Sequence, residues 1–179
     1  FFYTRLGNPT LDAVEKAVSP KLAAHSDEIY LNSALFARVK ALYDARATLG
    51  LMGEQARLLE TTYERFVNAG ARLNDTDKAT LKSLNEQLSS LGTDFSQKLT
   101  QATKDAALVV DTRGELAGLS DAEIAAAAKE AETRKLPGKF VLTLVNTTQQ
   151  PQLASLASRA TRQRLYEASV DRTSRGDAN

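Results

Sequence analysis

Six apolar residues recur at helical spacing in the middle of the chain and constrain the fold more than any other feature. Their separations are 3, 4, 3, 4 and 4 residues, and they are Leu81, Leu84, Leu88, Leu91, Phe95 and Leu99. This spacing places all six on one helical face and is close to a coiled-coil seam. We predict a helix from about residue 75 to 104, about 45 Å long at 1.5 Å per residue. Because so long a helix is rarely stable alone, we expect it to pack against a helix over 53–70 or against missing parts of the protein.

Helical periodicity also dominates the first third of the chain. We predict a short helix with Leu11 on its apolar face, and a new helical turn that starts at Pro20. Asn32 or Ser33 is a suitable N-cap for the next helix, and Gly50 is its predicted stop.

Two short β-like runs interrupt the helical pattern, over 107–110 and 140–145. Between them, an S-x-x-E capping box opens an alanine-rich helix over 121–134, and a Pro-Gly turn follows it. We predict that residues 109 and 141 pair in a small sheet, antiparallel if the strands form a hairpin.

These elements predict a mainly α fold: a helical bundle with a long helical hairpin and a small two-stranded β insert. The domain prediction is a single helical region over 1–179. Its sub-parts are helices over 10–104, a small α/β insert over 105–146 and helices over 151–175.

Composition excludes several classes of protein. Lys and Arg total 23 and Asp and Glu total 22, so a net charge of +1 favours neither nucleic acid nor an anionic membrane as a partner. Without cysteine there is no disulfide framework and no thiol chemistry. No apolar run approaches the ~20 residues that span a bilayer.

Few residues are candidates for chemistry. His25 is the only histidine, whereas catalytic zinc usually takes three protein ligands, so we expect a solvated or capping role for it. Carboxylates are paired at Asp27 and Glu28 and again at Asp75 and Asp77. On amphipathic helices such pairs are usually solvated or interact with the helix dipole.

Two asparagines lie in glycosylation sequons. We expect Asn74 to cap the helix that follows it, and Asn146 to order a turn through its side chain. Modification of either is the alternative interpretation.

The last part of the chain is its most basic segment. It contains five arginines, Arg159, Arg162, Arg164, Arg172 and Arg175. Acidic residues interleave with them and no aromatic platform accompanies them, which favours an ion-paired helix surface over an RNA-binding strip. Contact with a missing part of the protein is a third possibility.

Several residue strings resemble a known family. They include PKLAAHSDEIYLNSALFARVKALYDARATLGL at 20–51 and LVNTTQQPQLASL at 144–156, with further similar strings at 57–99, 116–128 and 159–179. These strings resemble the thimet oligopeptidase family of zinc peptidases, above all its bacterial peptidyl-dipeptidases. The resemblance extends over nearly the whole chain from about residue 8 and is most specific at 31–43 and 144–153.

The resemblance implies that this chain is part of a larger two-lobed, mainly helical peptidase with a deep channel that admits short peptides. The peptidyl-dipeptidase branch removes dipeptides from peptide C-termini. The family's zinc site is an H-E-x-x-H helix plus a downstream Glu, in which the motif Glu serves as general base. This chain contains no H-E-x-x-H. We therefore expect no catalytic, cofactor-binding or metal-ligating residue here, with zinc held by the parent protein.

By this interpretation the chain is a non-catalytic helical wall that helps to limit substrate size. Its partners would be the remaining catalytic part of the same chain and, in the parent, short peptide substrates, with no nucleic acid and no membrane. A cytoplasmic location is expected, with the periplasm as the alternative. The leucine stripe would hold the wall together, so that Leu88→Ala should cost about 2–5 kcal/mol.

Two other functions remain open from the residues. The stripe over 81–99 could be the dimer seam of a stand-alone helical interaction module. The arginine-rich end could belong to a nucleic-acid-binding helical domain, although the balanced charge speaks against it.

Overall fold

The computed structural model describes residues 8–145 and 149–174, apart from the side chain of Thr173. Within them lie six α-helices: α1 Pro9–Tyr30, α2 Ser33–Asp44, α3 Gly53–Asn68, α4 Asp75–Asp105, α5 Asp121–Thr133 and α6 Arg159–Val170. Two strands, β1 Leu108–Val110 and β2 Phe140–Leu142, and 3-10 turns at Arg113–Leu116, Pro151–Ala154 and Asp171–Thr173 complete the fold. The predicted mainly α fold with a small two-stranded sheet is confirmed.

The described residues divide into two compact units. The first, here called the helical unit, is Asn8–Phe95, and the second, called the mixed unit, begins at Ser96. The boundary between them falls within α4. The predicted sub-parts of the single region 1–179 stay a prediction.

In the helical unit, the predicted new start at Pro20 is wrong, because α1 runs through it as one helix of 22 residues. Proline lacks the N–H that would bond back along the helix, which costs about 3 kcal/mol or more in a helix interior. Contacts with α4 on both sides of the proline help to hold α1 as one helix: Lys16 pairs with Asp94, and Asn85 donates a hydrogen bond to Asp27.

Helices α2 and α3 pack through aromatic side chains. The rings of Tyr43 and Tyr63 stack with centroids 3.8 Å apart, and Phe36 stacks on Tyr63 at 5.9 Å. Phe66 lies against Phe36 at 6.1 Å and meets Tyr30 of α1 edge-on at 5.1 Å. Offset and edge-to-face pairs of this kind add to the stabilisation that area burial gives. This cluster is the core of the helical unit.

Helix α2 ends at Asp44, so the predicted extension to Gly50 is wrong. Residues 45–50 form turns instead. Side chains satisfy the carbonyls at this end: the Arg46 guanidinium donates to the Tyr43 carbonyl, and the Thr48 hydroxyl donates to the Ala45 carbonyl. These local bonds compete with further helical ones.

Helix α4 begins and ends almost where the periodicity predicts. The Asn74 side chain accepts the Asp77 N–H at 2.9 Å, which confirms it as the helix cap. Helix α3 does not cover this face of α4, because Leu84, Leu88 and Leu91 are 55%, 70% and 66% exposed, and the alternative of packing against a missing part of the protein stays a prediction. The side chains that α4 does bury belong to Lys78 and Thr93. Spacing specifies which residues share a face but not which face another helix covers.

The mixed unit has an antiparallel sheet with Val109 opposite Val141, so the predicted pairing is confirmed. Ser120 and Glu123 form the predicted capping box of α5. The core of this unit is apolar and includes Leu116, which is completely buried. Its other buried members are Ala106, Leu108, Val110, Leu119, Ile124, Ala127, Leu142, Leu144, Leu156, Leu165 and Ala168.

Gly118 allows two loops of the mixed unit to approach closely. A Cβ at this position would lie 2.0 Å from the Ser155 carbonyl oxygen, and the backbone φ is +97°. Beside it, the Ala157 N–H donates to the Ala117 carbonyl at 2.7 Å. Only glycine fits both the space and the backbone conformation.

Two leucine-to-alanine substitutions should separate core from surface in this chain. We expect Leu116→Ala to lower the free energy of unfolding by about 2–5 kcal/mol, because it opens a cavity in a closed core. Leu88→Ala should change it by no more than about 0.5 kcal/mol, because the side chain is exposed. Urea unfolding followed by circular dichroism measures both. A loss at Leu88 equal to that at Leu116 would contradict the exposed position of Leu88.

Candidate functional surface

The only histidine lies on the surface of α1. Its side chain is 68% exposed, and Nδ1 lies 3.6 Å from a carboxylate oxygen of Glu28, one helical turn away. Across residues 8–145 and 149–174, no three His, Cys, Asp or Glu side chains gather in a group that could hold a metal. The prediction that the parent protein, rather than this segment, holds the zinc stays a prediction.

The two carboxylate pairs singled out in the sequence do not form acid–base dyads. Asp27 is buried against α4, whereas its neighbour Glu28 is exposed. Asp75 and Asp77 lie in the first turn of α4, where negative charge interacts favourably with the helix dipole. Asn146, the other predicted turn residue, lies outside the described residues.

Polar contacts hold α4 to its neighbours in the helical unit. The Asn85 amide donates to Asp27 Oδ1 at 2.8 Å, and the buried Lys78 ammonium donates to the Ser33 hydroxyl at 2.7 Å. We call these two contacts, with the Lys16–Asp94 ion pair, the polar seam. Asp27 Oδ2 is buried and has no hydrogen-bond partner among the described residues. An unsatisfied buried acceptor is costly, so Asp27 depends strongly on Asn85.

The face of α4 turned away from Thr93 is apolar and open. It carries Leu84, Leu88, Leu91 and Phe95, which are 55%, 70%, 66% and 65% exposed, and we call these four residues the apolar stripe. At 3.6 residues per turn, the four positions fall within an arc of about 60°. The apolar stripe is therefore one continuous surface about three turns long.

The arginine-rich end forms internal contacts. Arg162 donates to the carbonyls of Leu156 and Ala157, and Arg164 pairs with Glu115 at 2.8 Å. Arg172 approaches the Val145 carbonyl at 3.5 Å, Arg159 is exposed, and Arg175 lies outside the described residues. The ion pair of Arg164 agrees with the predicted helix surface.

Arg164 also borders a shallow cleft that the sequence did not predict. The cleft has a volume of about 270 Å³ and lies between residues 106–109 and α6. Arg164 donates through Nη1 to Glu115 and through Nη2 to the Val109 carbonyl, so two of its five N–H donors are engaged within the chain. These partners are 49 and 55 residues away in sequence, so no local pattern indicates them.

The Arg164 contact affects the acidity of Glu115. The Thr112 N–H and hydroxyl both donate to Glu115 Oε2, and with the Arg164 charge they lower the pKa of this carboxyl below its usual 4.5. A carboxyl with a lowered pKa in the folded state contributes stability above its unfolded pKa. That contribution is lost as the pH falls through the folded pKa.

Comparison with known proteins shows strong similarity to bacterial peptidases. The chain is 45% identical over 172 residues to a dipeptidyl carboxypeptidase from Escherichia coli K12, and 46% identical to one from Salmonella typhimurium LT2. Each match covers 96% of this chain but 25% of the relative. Oligopeptidase A from Escherichia coli is 25% identical over 93% of the chain. The chain fits a segment of a thimet oligopeptidase family protein.

The family resemblance of the residue strings is thereby confirmed. The chain spans about a quarter of the length of the relatives that it matches. No family model matches it. Among the described residues, no helix is both long enough and apolar enough to cross a membrane.

Asn85→Asp should test the polar seam. It places a second carboxylate where an amide now donates to Asp27, and two ionised carboxylates at this distance repel each other. Protonation of either one relieves the repulsion, so the loss of stability is largest at neutral pH and shrinks as the pH falls. We expect a large drop in melting temperature at pH 7 that shrinks near pH 4. A drop of the same size at both values would contradict the contact.

Arg164→Met should raise the pKa of Glu115, measured by NMR titration of its carboxyl carbon. The rise should be partial, because the Thr112 hydrogen bonds are the larger cause of the lowered pKa. Arg159→Met on the exposed side of α6 is the matched control and should leave the pKa unchanged. An equal rise in both variants would mean that the Arg164 contact is not responsible.

Proposed function

We propose that this chain forms part of the non-catalytic helical wall of a zinc-dependent oligopeptidase or peptidyl-dipeptidase. The observation that carries the proposal is the 45–46% identity to two dipeptidyl carboxypeptidases over 96% of the chain. Identity at this level along nearly the whole chain supports a shared architecture. The relatives' names then suggest a peptidase as the parent protein.

The residues present support a structural role within that parent. A catalytic zinc site commonly needs three protein ligands and an open position for water. This chain has one histidine and no cysteine, and His25 lies on an open helix surface. Zinc, the general base and the bond-breaking chemistry would therefore belong to the part of the parent that lies outside these residues.

A wall around a peptide channel must be rigid, and the packed aromatic side chains of the helical unit make it rigid. Tyr43 and Tyr63 stack nearly parallel, and Arg72 donates to the Tyr63 hydroxyl. Packed side chains with fixed rotamers resist deformation. A rigid wall would admit short unstructured peptides, the proposed substrates, and would exclude folded proteins. The expected cytoplasmic location stays a prediction.

A stand-alone helical interaction module is the second candidate function. The exposure of the apolar stripe favours it, since a contiguous apolar surface often marks a protein interface. The coding sequence beyond Asn179 separates the two functions. A continuing frame that encodes H-E-x-x-H supports the peptidase, whereas a stop codon there supports the module.

The full-length protein should hydrolyse short peptides and bind one zinc ion, whereas these 179 residues alone should do neither. Elemental analysis of dialysed protein and a fluorogenic peptide assay measure both properties. A variant of the full-length protein with both motif histidines replaced by alanine is the control for zinc-dependent cleavage. Cleavage or stoichiometric zinc in the 179-residue chain would overturn the non-catalytic role.

The wall role predicts a change in size selection when the wall is loosened. In the full-length protein, Tyr63→Ala should raise the rate on an unfolded protein relative to the rate on a short peptide, because it removes the central ring of the aromatic cluster. Leu58→Ala is the matched control on the exposed side of the same helix, α3, where the side chain is 68% exposed. Identical rate ratios in both variants and the wild type would contradict a role in size selection.

A further inference from the structure

We infer that the apolar stripe of α4 binds an amphipathic helix from the catalytic part of the parent protein. The inference deepens the proposed function and rests on it. It assigns a partner to Leu84, Leu88, Leu91 and Phe95. The sequence alone left three partners open: a neighbouring helix, a missing part of the protein and a second copy of the chain.

The polarity of α4 within the helical unit is inverted. Inside the helical unit the helix makes polar contacts through Asn85, Lys78 and Asp94, and Leu81 is half-buried, while the four residues of the apolar stripe are exposed. A surface helix in a complete domain normally turns its apolar stripe to the core and its polar side to water. Helix α4 has the opposite arrangement, with its polar side towards the unit and its apolar stripe exposed. This indicates that another part of the protein packs on the stripe and completes the core.

The apolar stripe is small for an interface between two copies of the chain. With exposed fractions of 55–70%, its four side chains present about 500 Å², taking ~200 Å² for each. A symmetric pair of such stripes would bury about 1,000 Å², below the ~1,200–2,000 Å² of stable protein interfaces. The area is too small to hold two copies together, but it suits one helix of a chain that is already tethered.

The residues that flank the apolar stripe do not favour self-association. In a self-associating coiled coil the flanking positions usually carry complementary charges that specify the partner. Here these positions are Asn85, Gln87, Gly92 and Asp94. Asn85 and Asp94 are already bound to α1, and the other two are uncharged. Gly92 leaves open space beside the stripe, so another helix can approach closely.

The occupant follows from the extent of the match with the relatives. The chain corresponds to 25% of their length, so a parent of their size has ample chain to provide a helix. A tethered helix does not incur the full entropic cost of association, so a modest contact area is sufficient. The partner's chemistry is a helix with an apolar face about three turns long, which matches the length of the stripe.

Cysteine labelling of the full-length protein tests this inference. Leu88→Cys is introduced with any cysteine of the parent replaced, and its reaction with a maleimide is timed in the native and the denatured protein. Leu58→Cys is the matched control, because Leu58 is 68% exposed and Leu88 is 70% exposed in this chain. We expect native Leu88→Cys to react at least about tenfold more slowly than Leu58→Cys, as local opening must precede reaction. Equal rates would overturn the inference.

Dilution distinguishes the two possible occupants. Protection of Leu88→Cys that persists over a hundredfold dilution supports a helix of the same chain. Protection that disappears on dilution means that a second copy covers the apolar stripe, and the inference is then wrong.

A second variant addresses the energetics in the same protein. Leu91→Glu should lower the melting temperature of the full-length protein, and Leu58→Glu should not, because a charge is costly only in a covered surface. Peptidase activity is measured in the unmodified protein. An active enzyme with rapid labelling at Leu88 would contradict the inference alone, whereas an inactive protein with slow labelling would contradict the proposed function alone.

Discussion

The polar seam between α4 and its neighbours is the interaction on which the helical unit depends. A hydrogen bond to a charged group contributes about 1.5–3 kcal/mol, and a buried charge left without its partner costs more than that. Among the described residues the Asp27 side chain has one hydrogen-bond partner, Asn85, and Lys78 lies buried against Ser33. The seam therefore fixes the position of α4. Most of the free energy that burial of the apolar side chains of this helix could contribute is not gained within the helical unit.

The free energy that burial of the apolar stripe would contribute is substantial. Full burial of a leucine or phenylalanine side chain contributes about 1.5–3 kcal/mol, and the apolar stripe contains four such residues. These side chains are still 55–70% exposed, so a partner that covers the stripe would gain somewhat more than half of that contribution, less the entropic cost of ordering the partner. Within the helical unit itself, the stabilising contacts are those of the aromatic cluster and the polar seam.

Local signals in the sequence predicted most of the fold. Asn74 and Ser120 mark helix starts through caps that need only a few neighbouring residues, and the pairing of residues 109 and 141 follows from two apolar runs around a turn. Pro20 was misleading because contacts far away in sequence override its local effect. The polar seam was not predictable, since Asp27 and Asn85 are 58 residues apart and follow no pattern. The sequence could not decide between packing of the apolar stripe on the 53–70 helix and packing on a missing part of the protein, because periodicity carries no information about what lies opposite a face.

The distribution of tyrosine has a spectroscopic consequence. The chain has no tryptophan and five tyrosines, and three of these, Tyr30, Tyr43 and Tyr63, contribute to the aromatic cluster of the helical unit. In the described mixed unit, Tyr166 is the only tyrosine, and it is 54% exposed. Near-ultraviolet circular dichroism and tyrosine emission will therefore report on the order of the helical unit and remain almost silent when the core around the small sheet melts.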